Sequence, residues 1–177
     1  SDVAKTPKAL ASSLLTLCLD HHSYIGDDFF SCRLPSGARG VSLATIEALR
    51  DLARAKGVLE LTIARVRRYI ASDLTISFGT SLAECLVSFG GGSGEEATAG
   101  VVGRANCFLC YSGAADTRFA DLLDALASTM SALEAADGVR RYVWVDLFAL
   151  PQQPQQRGHG ASRREVVTAV RDAIDTV

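Results

Sequence analysis

The sequence lacks several features that would each have pointed to a class of protein. Its 177 residues contain no apolar run near the roughly 18 residues that a membrane span requires, and residues 9–19 are too short for a span or a convincing signal peptide. Eighteen Lys and Arg stand against twenty Asp and Glu, so the basic surface that nonspecific nucleic-acid binding needs is missing. With 48% hydrophobic and 21% charged residues, the composition is typical of a globular fold. We therefore expect a cytoplasmic protein with no membrane span and no nucleic-acid partner.

The cysteines also exclude one class of protein. Five cysteines at irregular spacing do not form a disulfide framework, and a reducing compartment suits them better. Cys107 and Cys110 have the CxxC spacing that suggests zinc or a redox site, but they lie in an apolar, strand-like run. Residues three apart in a strand point to opposite faces, and no second Cys or His pair stands at ligand spacing. Buried structural cysteines are the preferred interpretation, a metal or redox pair is the alternative, and no metal site is predicted.

A glycine-rich segment divides the chain. Residues 90–104 begin with Gly-Gly-Gly-Ser-Gly-Glu-Glu and show no apolar periodicity, which is typical of a flexible linker. Apolar residues recur at helical spacing in residues 1–89, where Ser42 is placed to cap one helix and Gly57 to end it. The predicted helices there cover residues 7–21, 43–56, 59–70 and 81–87. We therefore predict an α-helical segment, a linker and a separate C-terminal part.

The C-terminal part, residues 105–177, alternates between strand and helix patterns. Two near-continuous apolar runs are separated by a helical stripe that ends at Gly138, and a second helical stripe follows. The predicted elements are a strand at 106–111, a helix at 116–135, a strand at 142–150 and a helix at 163–175. This order predicts a parallel sheet covered by helices, the opening half of an open α/β fold.

Ligands of such sheets bind beyond the carboxyl ends of the strands. Ser112, Asp116 and Arg118 follow the first strand, Asp146 lies within the second apolar run, and Gln152 follows that run. These five are the candidate ligand-binding residues. The first loop enters a helix N-terminus, where free N–H groups favour an anion, although the glycine patterns of a Rossmann or Walker phosphate cradle are missing. Two interpretations stay open for the carboxylates. Asp116 either caps the helix or faces a ligand, and Asp146 is either a paired, buried group or part of a cleft.

Two motifs carry a resemblance to a known family. Residues 107–119, Cys-Phe-Leu-Cys-Tyr-Ser-Gly-Ala-Ala-Asp-Thr-Arg-Phe, resemble the first strand and following loop of Toll/interleukin-1 receptor (TIR) domains, particularly the plant-type pattern FLSxRGxDTR. Residues 142–152 resemble the second strand of a TIR-like group with the pattern YxWxDxFxxxQ. The similarity covers about residues 105–177. It implies a flavodoxin-like parallel sheet, present here only in its first half, in a family of self-associating signalling modules of which some cleave NAD.

The match to the family pattern is incomplete at the catalytic residue. The essential Glu of catalytic TIR domains lies on the helix after the third strand, often in a WCxxE context, and chain order places that helix beyond Val177. Trp144 is the only Trp, and neither Glu134 nor Glu165 lies where the resemblance would put the catalytic group. The resemblance therefore implies a signalling and protein-interaction module that acts by self-association or with protein partners. In this interpretation the module has no catalytic residue and no cofactor as this chain stands.

Two alternatives remain beside this interpretation. The chain could be a fragment of an NAD-cleaving hydrolase, with Ser112, Asp116, Arg118 and Asp146 along the nucleotide pocket and NAD as a substrate only of the full domain. It could also be an accessory subunit of a large assembly. A two-stranded parallel sheet buries too little apolar area to stand alone. Either more polypeptide follows, or a partner or the N-terminal segment must cover the edge of the second strand.

Overall fold

The computed structural model describes residues 6–21, 34–68, 80–90, 98–109, 116–150, 167–168, 171–172 and 174–175. The helices are α1 (Pro7–His21), α2 (Leu43–Ala55), α3 (Ile63–Val66), α4 (Leu82–Phe89), α5 (Phe119–Asp137) and α6 (Asp146–Ala149). The strands are β1 (Gly40–Ser42), β2 (Val102–Gly103), β3 (Cys107–Phe108) and β4 (Tyr142–Trp144), and a short 3-10 helix covers Ser36–Ala38. None of the helices in these ranges is long and apolar enough to cross a membrane.

The described strands form one mixed sheet in the order β2-β1-β4-β3. β3 and β4 are parallel and are connected through α5, as the alternating pattern predicts. β1 runs antiparallel to both β2 and β4. The predicted α/β class is therefore confirmed, and so is the parallel pairing of these two strands. The described sheet as a whole is mixed, because β1 pairs antiparallel with both of its neighbours. β1 lies in the predicted α-helical segment, between its predicted helices, and β2 lies in the predicted linker.

The edge of the second predicted strand is covered by the N-terminal segment. Val41 of β1 is the partner of Val143 in β4, and on its other side it is the partner of Val102 in β2. Strands of two or three residues are too short to show an alternating apolar pattern, so sequence periodicity did not reveal them. β2 lies within the predicted linker, residues 90–104, of which residues 91–97 are outside the described part of the chain.

Capping residues set several helix ends as the sequence predicts. Ser42 precedes α2 and accepts a hydrogen bond from the Thr45 N–H at 3.2 Å, and Gly57 follows this helix with φ +68°. Gly138 ends α5 in the left-handed conformation, with φ +70°. Only glycine adopts that conformation without strain.

Several predicted elements differ in extent. The helix predicted at 59–70 begins only at Ile63, because residues 59–62 form a turn and an isolated bridge. The second apolar run, predicted as one strand to Leu150, is strand only to Trp144 and continues as the one-turn helix α6. An apolar run of this length does not by itself distinguish a buried strand from a buried helical turn. Of the predicted helix at 163–175, the described positions 167–168, 171–172 and 174 are helical.

The hydrophobic core contains residues from both sides of the glycine-rich segment. Its fully buried members include Leu15, Ile46, Leu86, Leu123 and Val145. The helices α1, α2, α4 and α5 share this one cluster with the strands. A smaller cluster is built on Trp144, whose ring stacks on Phe108 with centroids 5.0 Å apart.

Candidate functional site

Arg118 is the last residue of the connection between β3 and α5 and directly precedes α5. Its guanidinium is exposed and donates through Nε and Nη2 to the two carboxylate oxygens of Asp121, at 3.0 and 2.9 Å. Nη1 donates to Glu60 Oε2 at 3.1 Å. The hydrogen bond to Asp121, together with the charges of Asp121 and Glu60, raises the pKa of Arg118. The predicted anion-binding arginine thus already holds two carboxylates of its own chain.

The first N–H groups of α5 are also occupied. Phe119 N–H donates to the Leu61 carbonyl at 2.8 Å, and Ala120 N–H donates to the Leu59 carbonyl at 3.0 Å. These are two of the groups that a helix N-terminus offers to an anion. Asp116 is exposed, and the cap position of α5 belongs to Arg118, which makes no side-chain capping bond. In this conformation the two N–H groups hold the start of α5 against residues 59–61 through hydrogen bonds.

Asp146 follows β4 directly and is the first residue of α6. Its Oδ2 accepts a hydrogen bond from Arg67 Nη2 at 2.7 Å, and the side chains of Asp146 and Arg67 are 33% and 43% exposed. This is the paired carboxylate that one of the two sequence interpretations expects, although it is half-buried and not buried.

The segment around α3 contacts two of the predicted site residues. Thr62 forms an isolated backbone bridge with Arg118, and Arg67 forms the ion pair with Asp146. The sequence did not single out Arg67, because Arg65, Arg67 and Arg68 lie on one predicted helix, where such arginines are usually a solvated face, and no motif marks one of them. Ser112 and Gln152, the remaining predicted residues, lie outside the described part of the chain.

A second charged group, absent from the sequence predictions, lies inside the fold. The Glu84 side chain is 1% exposed and pairs with Arg39, 17% exposed, at 3.1 Å. Glu84 also accepts from the Leu34 N–H at 3.1 Å and from the Ser81 N–H and hydroxyl at 2.8 and 3.0 Å. The only sequence signal was Ser81 with Glu84 three residues later, the spacing of a capping box, which is present at the start of α4.

The described cysteines are placed as packing residues. Cys18 and Cys85 are buried thiols, Cys107 is a half-buried thiol, and none of these three described cysteines forms a disulfide. The Cys85 Sγ lies 3.2 Å from the Thr80 hydroxyl. Burial, and then the neighbouring Cys85, raises the pKa of the Cys18 thiol, which disfavours a reactive thiolate. Cys110, the second cysteine of the CxxC, lies outside the described residues. Among the described residues no cluster of His, Cys, Asp and Glu could hold a metal ion.

Comparisons with models of protein families, with curated proteins and with solved structures each find no match for this chain. Its function is therefore argued from its own residues, because a fold class alone does not specify an activity.

Proposed function

We propose that this chain is a noncatalytic protein-interaction module that associates through the exposed face of α5. The TIR-like resemblance of residues 107–119 and 142–152 supports a role of this kind. The observation that carries the proposal is the chemistry of the α5 surface between Ala125 and Ala136.

Between Ala125 and Ala136 the solvent-facing side of α5 has no fully exposed charged residue. The one charged residue of this stretch, Glu134, is half-buried and accepts a hydrogen bond from the Arg141 N–H at 2.7 Å. The exposed residues between these positions are Ala125, Ser128, Thr129, Ser131, Ala132, Leu133, Ala135 and Ala136. The opposite face is buried and contains Leu122, Leu123, Leu126 and Met130. A surface helix normally carries charged and polar residues on its outer face. Small uncharged side chains let a second helix approach closely with little desolvation cost.

The pairing of the two charged candidate residues, Arg118 and Asp146, supports the noncatalytic part of the proposal. Arg118 is paired with Asp121 and Glu60, and Asp146 is paired with Arg67. A nucleotide bound by Arg118 and the start of α5 would have to displace the carboxylates of Asp121 and Glu60. It would also have to displace the backbone hydrogen bonds of Phe119 and Ala120. The described residues therefore favour packing within the chain over capture of a phosphate.

Sedimentation velocity tests the association directly. We expect the sedimentation coefficient of the chain to rise over about a hundredfold range of concentration, because self-association follows mass action. Ser128→Arg and Ala132→Arg place charge on the α5 face at exposed helical positions, where Arg is a good helix former. Both should sediment as monomers. Ser12→Arg, at an exposed position of α1, is the matched control and should behave as the wild type.

Either of two results would contradict this proposal. The wild-type chain could stay monomeric at all concentrations, or the α5 variants could associate as strongly as the control. Incubation with NAD followed by chromatography tests the catalytic alternative, and release of nicotinamide would favour the hydrolase over the proposed module. A chain that melts cooperatively only with added partners would favour the accessory subunit.

A further inference from the structure

Arg39 joins three distant parts of the chain through one guanidinium group. Its Nε donates to the Leu34 carbonyl at 3.0 Å and its Nη1 to the Ala149 carbonyl at 3.0 Å. Its Nη2 forms the ion pair with Glu84. A planar guanidinium has donors in fixed directions, so these three contacts specify the positions of their acceptors relative to one another.

The Glu84 carboxylate provides a fixed anchor for this group. It is buried at the start of α4 and is held by Ser81 and by the Leu34 N–H in addition to Arg39. Breaking such a pair by removing one partner leaves a buried charge uncompensated, which is strongly unfavourable. The direction of the Arg39 side chain is therefore set by contacts that do not involve α6.

The helix α6 needs support from outside itself. It has four residues, far fewer than a helix requires for stability alone, and the last carbonyls of any helix have no partner within it. Leu147 and Phe148 are buried in the core. Burial holds their side chains, but the last carbonyls of α6 still need hydrogen-bond donors. The carbonyl of Ala149, the last residue of α6, receives the Arg39 Nη1 donor.

We infer that Arg39 is a positioning residue that fixes the end of α6 against the buried Glu84 carboxylate. It thereby sets the direction in which the chain leaves the carboxyl end of β4. This role is independent of the proposed association through α5, since neither α5 nor its exposed face contributes to the three contacts of Arg39. The Arg67–Asp146 pair holds the other end of α6.

Substitution of Arg39 by Lys separates charge from geometry. Arg39→Lys retains a cation for Glu84, but a single ammonium group cannot reproduce the planar three-way fork. Amide hydrogen exchange measured by NMR should show the Phe148, Ala149 and Leu150 amides, which donate to the Val145 and Asp146 carbonyls, exchanging about tenfold faster, as loss of one charged hydrogen bond permits. Amides in the middle of α5 should change less than about twofold, because local opening is separate from global unfolding.

Arg50→Lys is the matched control, because Arg50 also forms an ion pair, but with Asp124 of α5 and not with α6. It should leave the α6 amides unchanged. Equal acceleration of the α6 and α5 amides in Arg39→Lys would show only a general loss of stability and would overturn the inference. Unchanged α6 amides in Arg39→Lys would overturn it as well.

Discussion

Replacement of Glu84 by Ala removes the acceptor of three hydrogen bonds and one partner of an ion pair from the interior. The Leu34 N–H, the Ser81 N–H and hydroxyl, and the Arg39 guanidinium all lose their partner. Arg39 is left largely buried, at 17% exposure, with its charge uncompensated. The substitution also removes one half of the capping box at the start of α4.

The expected loss of stability is large for a single residue. Removing one partner of a buried ion pair costs about 3–5 kcal/mol. The residual exposure of Arg39 places this case near the lower end, at about 3 kcal/mol. A domain of this kind has a total unfolding free energy of about 5–15 kcal/mol, so the loss is a fifth or more of the total and the variant should still fold.

Urea unfolding followed by far-UV circular dichroism measures this effect. With an m-value of about 2 kcal/mol/M, the midpoint should fall by about 1.5 M without a change in slope. Glu47→Ala is the control, because Glu47 is 36% exposed and its Lys8 partner is 4.0 Å away. Its expected cost is below about 0.5 kcal/mol.

A midpoint shift for Glu84→Ala no larger than that of the Glu47 control would refute the reasoning. The double variant Arg39→Met with Glu84→Leu gives a second check. Apolar side chains of similar volume often replace a buried pair at little cost, so the double variant should be more stable than Glu84→Ala alone. If the double variant is less stable than Glu84→Ala, the Arg39–Glu84 pair stabilises the fold by more than the compensation of one charge by the other.

Three further outcomes are expected. Gly103→Ala would place a Cβ 2.8 Å from the Tyr142 ring, so thermal unfolding should show a loss of about 1–3 kcal/mol. Gly57→Ala meets no neighbouring atom but retains φ +68°, and the strain should cost only about 1–2 kcal/mol. The raised pKa of Cys18 stabilises the fold fully below the unfolded-state pKa of about 8.5, and this contribution is lost as pH rises through the folded-state pKa. Peptide-resolved alkylation at pH 8 should accordingly leave Cys18 unmodified until urea unfolds the chain, and native labelling would contradict its burial.

Local chemistry made several elements predictable. Ser42 and Ser81 provide oxygen atoms for helix N-termini, and Gly57 and Gly138 adopt backbone conformations that other residues avoid. The apolar stripe of α5 repeats over enough turns to identify the helix and its buried face. In each case the signal lies within a few residues of the structure it specifies.

Contacts between distant segments were not predictable in this way. Val41 is a strand residue because Val102 and Val143 lie beside it, and nothing in residues 40–42 shows that pairing. Arg39, Glu84 and Ala149 meet only after the chain has folded. The charged residue types were visible in the sequence, but the partner of each charge was not.

The sequence was sufficient to establish the start of α2 at Ser42, the ends of α2 and α5 near Gly57 and Gly138, and the parallel unit of β3, α5 and β4, because short-range sterics and hydrogen bonding control these features. Tertiary packing decided that β1 completes the sheet beside β4 and that Arg118 and Asp146 hold partners from the segment around α3. The pairing of strands and of charges depends on which surfaces come into contact in the folded chain. Their free energy is gained only when residues far apart in the chain are brought into contact.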